Sequence, residues 1–141
     1  MTLAIRPLSD ADVASVAELW DVCGLTRPWN DPLLDIERAR ATWPDLLLVA
    51  VDGDDLVGTV MAGYDGHRGW LYYLASAPGR RGEGVGRELV EEAERRLVAL
   101  GCPKVMLMVR ETNTGARAFY DTLDYAWETS ALAGKRLIPD D

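Results

Sequence analysis

The glycine-rich stretch Pro78-Gly79-Arg80-Arg81-Gly82-Glu83-Gly84-Val85-Gly86 restricts the possible folds of this chain more than any other feature. An apolar run from Trp70 to Ser76 precedes it and predicts a strand, and an amphipathic pattern that begins at Val85 predicts a helix after it. Glycines let an anion approach the backbone, and the first turn of a helix offers N–H groups without intrahelical partners. The sequence therefore predicts an anion-binding loop between a strand and a helix.

The composition of this loop narrows its possible ligands. Arg80, Arg81 and Arg87 place positive charge around the glycines, which suits phosphate groups. There is no Gly-Lys-Ser/Thr ending of a P-loop, and no third glycine at the dinucleotide-fold spacing with an acidic residue after the next strand. A glycine run is a weak indicator by itself, because flexible turns also contain it. The predicted phosphate contacts are Arg81, Gly82, Glu83, Gly84, Val85, Gly86 and Arg87.

Apolar periodicity and capping residues predict a single α/β domain over residues 1–141, without repeats or linkers. Three central strand patterns are joined by the turns at 52–55 and 65–69, which predicts an antiparallel meander. The next strand follows the glycine-rich turn and a helix, which predicts a parallel crossover. Strands are predicted at 3–7, 46–51, 56–64, 70–76, 105–109 and 125–132, and helices after Ser9, after Asp31, over 85–100 and after Asn113 or Thr112.

The charge balance and the cysteines bound the possible partners. A net charge of −8 disfavours nucleic acid and anionic membranes and would suit a cationic or amine-bearing partner better. The first residues lack a basic segment followed by an apolar stretch, and the longest apolar run, Leu46 to Val51, is too short to span a bilayer, so we expect a cytoplasmic protein. Cys23 and Cys102 have no metal-ligand spacing and are expected to be buried small hydrophobes, and no metal site is predicted.

Two motifs occur in a fixed order along the chain. Arg81-x-x-Gly84-x-Gly86 follows a predicted strand, and Asn113-x-x-Ala116-x-x-Phe119-Tyr120 lies on a later predicted helix, with Tyr125 beyond it. Together they resemble the coenzyme A loop and the downstream motif of the GNAT N-acetyltransferases. The resemblance covers nearly the whole chain, and residues 27–31, 64–69 and 134–137 resemble the small bacterial YpeA-type subgroup.

The resemblance implies a mostly antiparallel mixed sheet of about six strands with helices on both faces. It also implies that the fourth and fifth strands splay apart, so that the pantetheine arm of acetyl-coenzyme A lies between them. Leu74 and Ser76 occupy the matching positions on the fourth strand. Their backbone groups would pair with the pantetheine, and an N–H group there would stabilise the oxyanion of a tetrahedral intermediate.

Tyr120 and Asn113 match two further family positions. Tyr120 matches the residue that meets the departing thiolate. Since a thiol has a pKa of about 8.5 and tyrosine of about 10, Tyr120 should stay protonated at neutral pH and donate a hydrogen bond. The alternative is a tyrosine that only fills the core beside Phe119. Asn113 either contacts the cofactor as well as capping its helix or serves as a cap alone.

The residues that bind the acceptor are less well defined. In the family the loop between the first two helices borders the acceptor site, so Trp29 and Asn30, with Arg27 beside them, are predicted to contact the substrate. The alternative is that Trp29 holds this loop against the core.

No general base is predicted. Relatives that acetylate protein N-termini often have a glutamate on the fifth strand, and Met108 stands at that position here. Asp65, His67, Glu111 and Asp31 are other candidates, but each fits a turn, a cap or a solvated charge as well or better.

The resemblance implies an N-acetyltransferase in which an amine attacks acetyl-coenzyme A directly, without a covalent enzyme intermediate and with an acceptor still to be identified. A non-catalytic acyl-coenzyme A sensor and an interaction domain are the alternatives. The chain departs from the family at Asp124, where a glycine is usual, so that turn is expected to be strained or rearranged. The segment after Leu132 is short for a closing hairpin, and we hypothesise that a partner subunit, as in a homodimer, covers the exposed sheet edge.

Overall fold

A computed structural model describes residues 2–140 of the chain. Within them, a five-stranded sheet carries α-helices on both faces. In chain order the elements are β1 (Leu3–Pro7), α1 (Val13–Val22), α2 (Pro32–Thr42), β2 (Leu47–Asp52), β3 (Asp55–Tyr64), β4 (Gly69–Ser76), α3 (Val85–Ala99), β5 (Val105–Leu107) and α4 (Thr114–Asp121).

The helices begin where their capping residues predict. Ser9 and Asp12 form a capping box that opens a short 3₁₀ turn ahead of α1. The Asp31 carboxylate accepts a hydrogen bond of 2.9 Å from the Leu33 N–H, and Pro32 takes the first position of α2. The Asn113 side chain accepts 3.0 Å from the Ala116 N–H, so Asn113 rather than Thr112 caps α4.

The strands lie in the order β1-β2-β3-β4-β5, with antiparallel neighbours except for the parallel pair β4 and β5. The helix α3 forms the crossover between these two. Their pairing runs only from Gly69 opposite Val105 to Leu71 opposite Leu107, whereas β4 continues to Ser76. The two strands therefore separate beyond Leu71, which confirms the predicted splay.

A bulge interrupts β4 where the splay begins. Tyr73 has a φ of +51°, and the register with β3 shifts between Thr59 and Met61. Side chains of a regular strand alternate between faces, but here Tyr73 and Ala75 pack towards α1 and α2 while Leu71 packs beneath α3. The bulge therefore reverses which face of the sheet the following side chains of β4 point to, at the place where β4 and β5 separate.

The core lies in two layers, one on each side of the sheet. Alternate residues of the β2 region face opposite layers, which explains its continuous apolar run. Leu48 and Ala50 pack beneath α3, and Leu47 and Val49 pack against α1 and α2. Apolar side chains therefore cover both faces of the sheet.

The prediction of a sixth strand at 125–132 is wrong, since residues 126–139 contain no strand. Side-chain contacts rather than a ladder with β5 hold this segment. The Trp127 indole donates 2.7 Å to Asp121 on α4 and lies beneath the guanidinium of Arg117, and Glu128 forms an ion pair with Lys104. The expected strain after α4 is present, because Asp124 has a φ of +67°.

The two cysteines differ in burial. Cys102 is buried as predicted, whereas Cys23 is half-buried, and neither thiol is in a disulfide. In residues 2–140, every helix is too short or too polar to cross a membrane.

Candidate functional site

Two adjoining cavities occupy the splayed end of the sheet. The loop cavity, of about 620 Å³, lies along the glycine-rich loop from Arg80 to Arg87. The strand cavity, of about 850 Å³, lies between the separating strands β4 and β5 and the loop that joins α1 to α2. Cys23, Leu25, Leu74 and Asn113 line both cavities, so the two form one continuous cleft.

The glycine-rich loop forms an open cradle of backbone groups. Gly82 and Gly84 both have a φ of +85°, and a Cβ atom on either would meet no atom within 4 Å. Gly84 precedes the first residue of α3, and the first intrahelical bond of the helix joins the Glu88 N–H to the Gly84 carbonyl. The N–H groups of the first turn of α3, before Glu88, therefore lack intrahelical acceptors, as in an anion site. This cradle fits a pyrophosphate.

The arginines around the cradle differ in their partners. The Arg81 side chain is exposed and lines the loop cavity. The Arg87 guanidinium lies 3.4 Å from Glu91 and donates 3.3 Å to the Thr122 carbonyl. Arg80 forms an ion pair of 2.6 Å with Asp52 and holds the pKa of that carboxyl below its usual range. The Arg80 charge is therefore largely neutralised by carboxylates of the β2–β3 hairpin, and Arg80 would attract a phosphate less than the sequence suggests.

Most predicted site residues lie along the cleft. Glu83 and Trp29 line neither cavity, and the Trp29 side chain is 60% exposed rather than packed into the core. Ser76, Arg81, Gly82, Gly84, Val85, Gly86 and Arg87 line the loop cavity, Leu74 and Asn113 line both cavities, and Asn30 and Tyr120 line the strand cavity.

Tyr120 lies under the strand cavity with its ring in the core. Its ring meets those of Phe119 and Tyr125 edge to face, at centroid distances of 5.1 and 5.5 Å. Burial raises the pKa of Tyr120 to about 12, so the hydroxyl keeps its proton at neutral pH. Within residues 2–140 this hydroxyl has no hydrogen-bond partner, and it is free to donate to a ligand.

The bulge in β4 is held by side chains from distant parts of the chain. The Trp20 indole donates 2.8 Å to the Thr59 hydroxyl, which in turn donates 2.8 Å to the Tyr73 carbonyl. The Trp20 ring also stacks on Tyr73 at 3.8 Å. Because the buried Tyr73 carbonyl has lost its regular ladder position, this relay satisfies it and fixes the backbone that presents Leu74 to the cleft.

Charged residues that the sequence did not reveal as site residues line the strand cavity. Asp35, on α2, accepts a 2.6 Å hydrogen bond from the Tyr73 hydroxyl. Burial is the main cause that raises the pKa of Tyr73 above its usual range, and the hydrogen bond to Asp35 raises it further. Asp35 lies one helical turn after the Asp31 cap, next to the loop predicted to border the acceptor, and that spacing was the available signal. Arg38 and Arg110 also line this cavity.

The segment at the far end of the chain contacts the loop between α1 and α2. Arg136 donates 2.7 Å to the Asn30 side chain and also bonds the Trp29 carbonyl. The Asp140 carboxylate accepts 2.9 Å from the Asp31 N–H and lies 2.9 Å from the Arg38 guanidinium. The hydrogen bond from the Asp31 N–H is the main cause that lowers the pKa of Asp140, and Arg38 lowers it further. These contacts fix the outer wall of the strand cavity.

The four acidic and histidine candidates for a general base lie outside the cleft. Asp65 accepts hydrogen bonds of 2.8 and 2.7 Å from the N–H groups of His67 and Arg68, which lower its pKa and mark it as a turn former. Asp31, Asp65, His67 and Glu111 line neither cavity, whereas Met108 lines the strand cavity. Among residues 2–140, no three His, Cys, Asp or Glu side chains are grouped to hold a metal ion.

The fold and the cleft are those of an acyltransferase of the GNAT type. The model of the acetyltransferase (GNAT) family matches residues 13–125, and the chain belongs to this family. It is 47% identical over 138 residues to an acetyltransferase of Pectobacterium atrosepticum and 46% identical over 138 residues to one of Yersinia enterocolitica. Each match covers 98% of both chains, so the resemblance to small bacterial acetyltransferases is confirmed.

Solved structures show the same fold. A chain of the NatC complex, solved with Gag peptide and CoA, is 26% identical with a TM-score of 0.77, and the match covers 87% of this chain and 84% of that one. The Ard1 protein of Thermoplasma volcanium, at 23% identity, has a TM-score of 0.80 over 89% of this chain and 84% of its own. The predicted mixed, mostly antiparallel fold is confirmed, with five strands rather than about six.

Proposed function

We propose that residues 1–141 form one domain that transfers an acetyl group from acetyl-coenzyme A to an amine. The observation that carries this proposal is the continuous cleft that joins the glycine cradle to the separated strands β4 and β5. One end suits a pyrophosphate and the other leaves room for a second substrate. The family and the CoA-bound neighbour support the same cofactor.

Within the proposal, the backbone of Gly82 and Gly84 and the first turn of α3 bind the pyrophosphate, with charge from Arg81 and Arg87. The pantetheine arm runs between the strands, where the backbone of Leu74 and Ser76 has no partner strand on the β5 side. Asn113 lines both cavities and caps α4, which supports a contact to the arm in addition to the cap.

The chemistry is a direct acyl transfer. The amine nitrogen attacks the thioester carbonyl carbon, an N–C bond forms, and collapse of the tetrahedral intermediate breaks the C–S bond. In this proposal an N–H group of the β4 backbone near Leu74 stabilises the oxyanion, and the Tyr120 hydroxyl donates a hydrogen bond to the departing sulfur. The proton lost by the amine is balanced by the one that the thiol finally gains.

The acceptor in this proposal is an amine on a small molecule or a protein, and Asn30, which lines the strand cavity, contacts it. One solved neighbour was bound to Gag peptide and CoA, and another, AAC(6')-Iy at 19% identity, was in complex with the bisubstrate analogue CoA-S-monomethyl-acetylneamine. Trp29 is exposed beside the cavity rather than within its lining, so a contact to the acceptor would involve the part of the ligand that leaves the cleft.

The test combines cofactor binding with turnover. We expect saturable calorimetric binding of acetyl-coenzyme A and amine-dependent thiol release in a screen of peptides, polyamines, amino acids and aminoglycosides. Binding without thiol release for any amine would favour the acyl-coenzyme A sensor. Absence of saturable cofactor binding would favour an interaction domain and overturn the proposal.

A homodimer in the cytoplasm is part of the same proposal. The free edge of β5 and the exposed Leu132, Leu137 and Ile138 near the end of the chain leave apolar surface that a second subunit would cover. The two free thiols suit a reducing compartment. Light scattering should give twice the chain mass, and a monomer at all concentrations would exclude the dimer.

A further inference from the structure

The charge of the strand cavity is opposite to that of the whole chain. Its charged lining residues are Arg27, Arg38, Arg110 and Asp35, three cations and one anion, although the chain has 23 acidic and 15 basic residues. A locally cationic cavity in such a chain does not follow from composition. Such a cavity favours a ligand that carries negative charge.

Arg38 contributes little to this excess, because it is compensated inside the protein. Its guanidinium lies 2.9 Å from Asp140 and 3.9 Å from Asp35. The uncompensated charge of the cavity is therefore that of Arg27 and Arg110.

Arg27 is oriented but not neutralised. One guanidinium nitrogen donates 2.9 Å to the Gly24 carbonyl and 2.8 Å to the Thr26 carbonyl, and Gly24 also lines the cavity. Within residues 2–140, no carboxylate lies within ion-pair distance of Arg27. A guanidinium has five N–H donors, so several remain for a ligand.

Arg110 lies on the opposite wall of the cleft. Leu107 and Val109 pack against the core beneath α3, whereas Met108, 46% exposed, and the exposed Arg110 follow β5 and line the strand cavity. Among the described residues, the Arg110 guanidinium has neither an ion-pair nor a hydrogen-bond partner, and only the Arg110 carbonyl is bonded, to the Asn113 N–H. The two unneutralised arginines thus come from different segments and border one cavity.

We propose that the acceptor amine carries an anionic oxygen group, a carboxylate or a phosphate, and that Arg27 and Arg110 bind this group. The inference rests on the proposed function and adds a substrate class to it. Guanidinium groups suit both anions, since they donate parallel hydrogen bonds to two oxygens. Asp35 on the same cavity wall is available to the ammonium end of such a molecule.

The experiment compares matched acceptors that differ only in the anionic group. Lysine is compared with cadaverine, and phosphoethanolamine with ethanolamine, by thiol release from acetyl-coenzyme A. We expect kcat/KM for at least one member with the anionic group to exceed that of its partner without the group by about tenfold or more, the effect of one charged hydrogen bond. The pair that shows the preference identifies the anion as carboxylate or phosphate. Equal values in both pairs, or a preference for the members without the anionic group, would overturn the inference and leave the transferase function standing.

Arg27→Gln and Arg110→Gln test the residues. Each should raise KM for the preferred acceptor with the anionic group by about tenfold or more, with little change for its partner without that group. Arg95→Gln is the control, because Arg95 is exposed on α3 and pairs with Glu92. Calorimetry should give an unchanged Kd for acetyl-coenzyme A. A weaker Kd in both cavity variants would assign these arginines to cofactor phosphates and overturn the inference.

Binding measurements distinguish a failure of the proposed function from a failure of this inference. If no amine releases thiol, the same compounds are titrated calorimetrically into the coenzyme A complex. Tighter binding of the anionic members, lost in Arg110→Gln, would support the inference without turnover, and equal binding across each pair would overturn it.

Discussion

The two cavities of the cleft are built in different ways. The cradle of the loop cavity is one contiguous stretch, in which Gly82 and Gly84 have positive φ and α3 begins directly afterwards. The strand cavity is assembled from segments that are far apart in the chain: the loop after α1, the helix α2, the bulge of β4 and the residues after β5. Its walls are positioned mainly by side-chain contacts.

This difference separates the two tasks of the proposed enzyme. A cofactor common to a whole family can be held by backbone groups, whose chemistry does not depend on the side chains. An acceptor specific to one protein needs side chains, and these can vary without disturbing the cradle. We therefore expect substitutions to act on cofactor binding at one end and on acceptor turnover at the other.

The largest effect is expected at the cradle. Gly84→Glu places a charged side chain in the open space of the loop cavity and at a φ of +85°. We expect acetyl-coenzyme A binding, measured by calorimetry, to weaken by more than about 100-fold, because the carboxylate both fills the site and repels the phosphates.

Gly79→Glu is the matched control for this variant. Gly79 belongs to the same loop, has open space around it and does not line the loop cavity. The Gly79→Glu variant should bind acetyl-coenzyme A nearly as well as the unmodified protein. Equal losses in both variants would point to general repulsion by added charge and would break the contrast between the two cavities.

The same contrast explains what the sequence could predict. Glycines, capping residues and a strong amphipathic helix act over a few residues, so the cradle, the crossover and the Asn113 cap were all predictable from local patterns. The splay followed from the family resemblance. The relay from Trp20 through Thr59 to the Tyr73 carbonyl joins residues 39 and 14 positions apart, and no local pattern encodes it.

The wrong prediction of a sixth strand has the same cause. The apolar residues of 125–132 fit a strand by periodicity, but this segment makes side-chain contacts instead, Trp127 with Asp121 and Glu128 with Lys104, which periodicity does not encode. Arg80 shows the same limit, since its position in the loop suggests charge for a phosphate, whereas its ion-pair partner Asp52 lies 28 residues earlier, on the neighbouring hairpin.

A smaller effect is expected for Tyr120, at the boundary between the two ends. Tyr120→Phe removes the hydroxyl and keeps the edge-to-face contacts with Phe119 and Tyr125. We expect kcat to fall about 10-fold to 100-fold with an unchanged Kd for acetyl-coenzyme A, since the hydroxyl acts on the departing thiolate. Stopped-flow turnover and calorimetry on the same preparation measure both quantities. An unchanged kcat would make Tyr120 a core residue only.

The smallest effect is expected at Asp35, and it tests the acceptor end alone. Asp35→Asn keeps an oxygen that can accept the 2.6 Å hydrogen bond from Tyr73 and removes the negative charge from the cavity. If that charge attracts the acceptor ammonium, kcat/KM for the acceptor should fall about threefold to tenfold, the range of a partly solvated ion pair. Glu37→Gln is the control, because Glu37 is exposed on the same helix and lines neither cavity. A loss of acetyl-coenzyme A affinity in Asp35→Asn would show that the two ends are coupled through the Tyr73 bulge rather than independent.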